Sequence, residues 1–388
     1  LSDIGVDWEE RVDWQRIRAA RVQSAIKAMK EEGIGALIVQ RIENLRFLTC
    51  MRPFTSLIYY PRYAAVLFDT GHICLLTEGG DYELVKRSMP WIDDLRVWPY
   101  DSDETIANVS GLFSDRSFST GRLGYDDVTS PAVLFGLSKK YPGLEMVDAN
   151  KTLGRARLIK DSEEIKVIRG AAQLAEIGML AARETIKEGV RESTIAAEMA
   201  RAMLEAGADA LITHPQVTTD ALRRMATDKR LRYGEVALID INIGYNGYVG
   251  DFARTFAVGQ PSSAQRKVFQ VQLECLQTAV SLVKPGIDPQ IIQDAVRDIV
   301  VKAGLEKHWH GYITGHGVGV GIGPIEQPLI GSTMGPEREL REGMIIAFEP
   351  GIFDPAVGPI RNEEMVLVTA EGHETLTRFG FCEKLSER

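Results

Sequence analysis

Cysteine is scarce: four residues in 388 (Cys50, Cys74, Cys275, Cys382), scattered and without a CxxC spacing. That argues against a disulfide framework, and three of the four sit among apolar neighbours, as buried thiols of a reducing cytoplasm do. No apolar run reaches the roughly 20 residues that span a bilayer. The first ten residues are acidic and lack an apolar core, so they do not read as a secretory signal. No basic cluster stands out among 45 basic and 54 acidic residues, which sum to a net charge of −9. Neither nucleic acid nor an anionic membrane is therefore an expected partner. Low-complexity tracts and close internal repeats are missing too. What remains is a chain 45% hydrophobic, long enough for two domains.

Periodicity places the elements. Residues 13–33 carry apolar positions at helical spacing (Ile17, Ala20, Val22, Ala25, Ile26, Met29) and stop at Gly33. Strand-like runs follow at Ala36–Val39, Tyr63–Phe68, Ile73–Leu76 and Leu95–Trp98, punctuated by Gly71 and Gly79-Gly80. A helix near 131–140 and a strand near 145–148 complete an α/β domain. Asp161 and Glu164 then form a capping box opening a long helix, whose buried stripe runs through Ile165, Ile168, Ala172, Ala175, Met179, Ala182 and Ile186. Further helices cover 192–206, 263–283 and 288–304, the last two divided by Pro285-Gly286.

Between those helix pairs lies the segment from Leu238 to Phe256, two β-runs meeting at Asn246-Gly247. Asn-Gly favours a two-residue hairpin turn because both residues accept positive φ. A turn centred there pairs Asn242 with Asp251 and Asp240 with Ala253. Strand side chains alternate faces, so Asp240, Asn242 and Asp251 share one. Diagonal neighbours across a strand pair are roughly 7–8 Å apart, which suits two acids converging on a pair of metal ions about 3.5–4 Å apart.

Three later segments add donors. Thr314-Gly315-His316-Gly317 isolates one histidine among glycines, Phe348-Glu349-Pro350-Gly351 sets a glutamate after an apolar run, and Arg361-Asn362-Glu363 sets another before a strand. Two Asp, two Glu and one His make a hard, oxygen-rich set suited to Mn, Fe or Co rather than to structural zinc. With these motifs the chain resembles the creatinase/aminopeptidase P superfamily of pita-bread metallopeptidases. The resemblance implies an α/β (α+β) fold: a creatinase-like N-terminal domain over 1–155 and a pita-bread metal-binding domain over 156–388. It implies two divalent ions (Mn, Fe, Co or Zn) on Asp240, Asp251, His316, Glu349 and Glu363. It further implies Glu349 as proton shuttle, and Arg361 and Thr255 as groups that orient the ligands. The expected enzyme is a cytoplasmic, homodimeric, metal-dependent hydrolase of the Xaa-Pro dipeptidase type, acting on a dipeptide or other small molecule.

Two histidines of that family pattern are missing. Arg223 stands where an H-Y-x-P-T-D histidine belongs, and the H-E-x-P histidine falls on Ile325 if Glu326 and Pro328 are aligned, or on Gly323 without a gap. Neither Ile325 nor Gly323 has a side chain that stabilises an oxyanion as imidazole does. Glu326 and His214 are further catalytic candidates. Arg223, Arg361, Tyr60 and Arg62 are the candidate substrate contacts, Arg223 because a guanidinium pairs with a carboxylate, although a solvated basic turn (Arg223, Arg224, Lys229, Arg230, Arg232) fits it as well. His308 and His310 read as loop residues, and His72 and His373 as turn surface. The departures open an alternative: a non-peptidase member of the same fold, cleaving a C–S or C–N bond as dimethylsulfoniopropionate lyases or creatinase do. A peptide-binding pseudoenzyme would have lost ligands, and none is lost here.

Overall fold

The computed structural model describes residues 12–51, 63–99, 101–213, 215–311, 313–331, 335, 337–381 and 385. The chain forms two compact units, Leu1–Arg157 and Leu158–Arg388.

The first unit runs α1 (Trp14–Glu31), β1 (Ile34–Val39), α2 (Ile42–Thr49), β2 (Tyr63–Phe68), β3 (Ile73–Thr77), α3 (Tyr82–Ser88), β4 (Asp94–Val97), α4 (Ser102–Asp115), β5 (Thr120–Tyr125), α5 (Pro131–Lys140), β6 (Gly143–Asp148) and α6 (Asn150–Ala156). Its strands make one mixed sheet in the order β4-β3-β2-β1-β5-β6. Ala36, Ile38, Val66 and Leu76 from the sheet pack with Leu112, Phe113 and Leu137 from the helices. Asp126, fully buried just after β5, accepts hydrogen bonds from the Gln40 and Arg41 amides and from Asn44 Nδ2, tying the ends of β1 and β5 together. His72 is not a bare turn residue. It lies 2.9 Å from Asp94, beside Arg116.

The second unit continues with α7 (Ser162–Thr185), α8 (Glu192–Glu205), β7 (Ala210–Leu211), β8 (Gln216–Thr218), β9 (Val236–Tyr245), β10 (Tyr248–Ala257), α9 (Ser263–Ser281), α10 (Pro289–Ala303), β11 (Gly315–Gly317), β12 (Leu329–Ile330), β13 (Ile345–Phe348), β14 (Ile352–Asp354), β15 (Gly358–Ile360), β16 (Glu364–Val368) and β17 (His373–Thr375). The capping box opening α7 is present, and Glu164 also accepts the Tyr248 hydroxyl at 2.7 Å. Ile165 is only half-buried, because Val167, Ile168, Ala171 and Ala172 carry the inward face at that turn.

Two helix pairs cover two sheets. α7 and α8 bury Ala175, Met179, Met199 and Met203 against Ile239, Ile241, Ile243 and Phe252 of the β9–β10 hairpin. α9 and α10 bury Leu276, Ala279, Ile292 and Val296 against Ile346, Phe348 and Val366 of the sheet ordered β12-β11-β13-β16-β17. The hairpin turns at Asn246 (φ 52) and Gly247 (φ 78), the positive-φ pair of a tight hairpin turn. Asn242 lies opposite Asp251 and Asp240 opposite Ala253. No helix among the described residues is long and apolar enough to cross a membrane.

Candidate metal centre

The acids of β9 and β10 point away from the apolar face that the helices cover, toward the strands of the second sheet. The Glu363 amide donates to the Ala253 carbonyl at 3.0 Å, so the residue before β16 is fixed beside β10. Ligand atoms of Asp251, His316 and Glu363 all lie within 4.8 Å of one another, and all three residues are buried. His316 Nε2 is 3.5 Å from both Asp251 Oδ2 and Glu349 Oε1. Arg361 Nη1 donates to Glu349 Oε2 at 2.5 Å, and its Nη2 donates to Asp240 Oδ2. All five sequence candidates for metal binding therefore fall in one connected group around Arg361 and His316.

Local structure fixes each donor. Gly317, next to His316, has its α-carbon so close to Gln327 that an added Cβ would be 2.2 Å from the Gln327 carbonyl oxygen. A Cβ on Gly323 would sit 2.5 Å from the Cβ of His316, so a side chain at position 323 would force its neighbours to shift. The Asp251 amide donates to Met365 Sδ at 3.3 Å, and Asn242 Nδ2 donates to Asp251 Oδ1 while its own Oδ1 accepts Thr213 Oγ1 at 3.0 Å. Thr255 Oγ1 donates to the Arg361 carbonyl and accepts the Arg361 amide, each at 2.9 Å. Gln272, on α9 and wholly buried, donates to the Pro350 and Asn362 carbonyls at 3.0 Å each and accepts Asn362 Nδ2 at 2.5 Å. It ties together the residue after Glu349 and the residue before Glu363. Nothing in the sequence singles out this glutamine in an amphipathic helix.

The electrostatics are those of a crowded acid cluster. Burial, with the charge of Glu349, raises Asp251 to about 6 against the pull of His316. Burial followed by the Asp251 and Glu349 charges raises Glu363 well above the usual carboxylate range. Burial alone would lower His316, but Glu349, Asp251 and Glu363 hold it at about 10. Burial lowers Arg361 to about 10, with Glu363 opposing and Arg224 adding to the effect. Among the described residues no donor reaches either carboxylate oxygen of Glu363, which is only 1% exposed and crowded against the Asp251 carboxyl. A buried carboxylate without donors is costly unless a cation faces it. Carboxylates around one imidazole are the donors a divalent transition metal takes, so these residues fit the metal the sequence motifs imply.

Other candidates fall elsewhere. Arg223 is gripped by Glu192 through bonds of 2.6 and 2.9 Å and is not brought to the cluster. Glu326 is fully buried, accepts the Gly321 amide at 3.2 Å and faces Lys160 Nζ at 3.7 Å, so it orders the loop behind His316. His214, Tyr60 and Arg62 lie outside the described residues. His310, read from sequence only as a loop residue, is half-buried near the cluster. Burial and the Arg224 charge hold it below its usual value, against Glu349.

A mixed α/β unit ahead of a paired-helix, paired-sheet unit with an Asp/His/Glu centre is the architecture of a pita-bread, metal-dependent hydrolase. Residues 166–370 match Metallopeptidase family M24, and residues 21–159 match the Creatinase/Prolidase N-terminal domain. The chain belongs to metallopeptidase family M24. It is 28% identical to the Xaa-Pro dipeptidase of Pyrococcus furiosus over 362 residues, covering 92% of this chain and 97% of that one. It is 30% identical over 269 residues to an uncharacterized peptidase of Bacillus subtilis, covering 67% of this chain and 74% of the relative. Among solved structures, the prolidase from Pyrococcus horikoshii OT3 superposes with a TM-score of 0.79 at 26% identity, covering 93% of this chain and 99% of that one.

Proposed function

We propose that this hydrolase uses two divalent ions, held by Asp240, Asp251, His316, Glu349 and Glu363, to cleave a small amide or dipeptide. The observation that carries the reading is Glu363, buried and, among the described residues, without a donor, its ligand atom within 4.8 Å of those of Asp251 and His316. When bound, divalent metal supplies Lewis-acid polarisation of a carbonyl and acidifies water. Glu349 is the least buried of the four acids, and the proton of an attacking water passes to it and on to the leaving amine. Arg361 holds Glu349 and Asp240 in orientation for that transfer. A dipeptide substrate is supported by the Xaa-Pro dipeptidases among the relatives. The oxygen-rich donors favour Mn, Fe or Co over Zn. A cytoplasmic homodimer belongs to the same reading. Light scattering on the purified protein checks the dimer.

The missing imidazoles at Arg223 and Ile325 favour a second reading. There the same centre cleaves a C–S or C–N bond of a small polar molecule that brings its own polarising groups. Metal analysis of purified protein, coupled to a panel of dipeptides and other small substrates, tests both. Two ions per chain with metal-dependent turnover are expected, and full activity in thoroughly chelated protein would sink the metal hydrolase.

A further inference from the structure

Two adjacent arginines on the loop after β8 have different surroundings. Arg223 is anchored on Glu192, whereas the guanidinium carbon of Arg224 lies 5.4 Å from the centroid of the Phe353 ring. Phe353 belongs to β14, directly after the Glu349-Pro350-Gly351 turn. A Cβ on Gly351 would be 2.5 Å from the Phe353 ring and 3.4 Å from Arg361 Cδ, so ring, turn and Arg361 lie side by side. The Phe353 ring also meets the His310 imidazole edge-on, with centroids 5.7 Å apart at 85°. The His310 amide donates to the Gly351 carbonyl at 2.9 Å. Arg224 thus stands over an aromatic ring that neighbours the Arg361 gripping Asp240 and Glu349. Its charge is felt at both His310 and Arg361.

Among the described residues no carboxylate pairs with Arg224, and the side chain is exposed. A guanidinium held over a ring and exposed to solvent has N–H groups free to take a planar carboxylate through two parallel hydrogen bonds. We propose that Arg224, held over the Phe353 ring beside His310, is the subsite that binds the carboxylate of a small anionic substrate at the mouth of the metal centre. The proposal rests on the hydrolase reading for the location of the reacting bond, but not for the binding itself.

The test uses the full-length chain loaded with Mn(II), and titration calorimetry with glycyl-L-proline and with its C-terminal carboxamide. In wild type the acid binds more tightly than the amide. Arg224→Ala weakens the acid about tenfold or more, as loss of a charged hydrogen-bond pair does, and leaves the amide within about twofold. Arg224→Lys recovers part of the loss, because charge returns without the fork. Equal loss on acid and amide, no loss, or a wild type that does not bind the acid would overturn the subsite. Turnover is read separately. Arg224-dependent binding without hydrolysis keeps the subsite and defeats the peptidase reading, whereas hydrolysis of acid and amide alike, indifferent to Arg224, does the reverse.

Discussion

Glu192 and Arg223 form a closed pair: a carboxylate with no exposed surface holds a partly exposed guanidinium by hydrogen bonds of 2.6 and 2.9 Å. The same carboxylate accepts the Thr219 and Thr227 amides at 3.2 and 3.1 Å, so one residue at the start of α8 fastens the whole loop between β8 and β9. Glu192→Ala should cost about 1.5–3 kcal/mol, as losing hydrogen bonds to a charged group does. Burial pushes the Glu192 carboxyl up, but Arg223, Thr227 and Thr219 outweigh it, and its folded value lies below the ordinary 4.5. A depressed carboxylate contributes stability that is complete above 4.5 and is lost as pH falls through the folded value. Wild type should therefore lose more stability than Glu192→Ala between neutral pH and pH below 4.5, measured by denaturant unfolding. Parallel pH profiles would show that the pair contributes nothing.

Asp251→Asn should abolish turnover and lower the metal content per chain. An amide carries no charge to balance a divalent ion and does not bridge as a carboxylate does. Elemental analysis of wild type and variant, purified side by side, checks it. Undiminished metal would place the ions elsewhere.

Gln272→Leu keeps the volume of the side chain and removes three hydrogen bonds at once, leaving the Pro350 and Asn362 carbonyls without that donor. Partners that orient metal ligands are worth about 10–100-fold in affinity, and the Mn(II) dissociation constant of the variant should rise by that order. The measurement is a metal titration, with thermal unfolding alongside. A drop in melting temperature with unaltered metal affinity would make Gln272 a core residue only.

Turnover of ordinary Xaa-Pro dipeptides should be weak, with kcat/KM below about 10⁴ M⁻¹s⁻¹. Losing one preorganised donor at a developing oxyanion costs about 10²–10³ in rate, and both usual imidazoles are replaced, by Arg223 and Ile325. Ile325→His should raise peptide hydrolysis. Gly323→His should damage the protein instead, because the Cβ at 323 runs into His316. Strong wild-type turnover on an Xaa-Pro panel would refute the prediction.

The hairpin was readable because its code is local. Asn246-Gly247 sets the turn, the turn sets the register, and alternation puts Asp240, Asn242 and Asp251 on one face. The capped, apolar-striped helices α7 and α10 were readable for the same reason. Strand β5, Thr-Gly-Arg-Leu-Gly-Tyr, was not: two glycines and an arginine hide it, and only its neighbours β1 and β6 make it a strand. Helix α4 was missed although Asp101 caps it, since Asn, Ser and Gly dilute its periodicity. At the site, the distinction between Arg223 and Arg224 depends on a glutamate 31 residues away from Arg223. The role of Gln272 depends on two turns that reach it only after folding. Neither is written in local sequence.

The β9–β10 pair also proofreads itself. With a side-chain period of two, sliding one strand by a single residue turns every side chain to the opposite face. Ile239, Ile241 and Ile243 would lose the cover of α7 and α8, and Asp240 would be driven into the apolar layer those helices close. A misaligned hairpin is thus penalised twice, by stranded isoleucines and by a carboxylate buried among methyl groups, before any ion arrives. The alternation that aims the acids at a cation is also the error check on their aim.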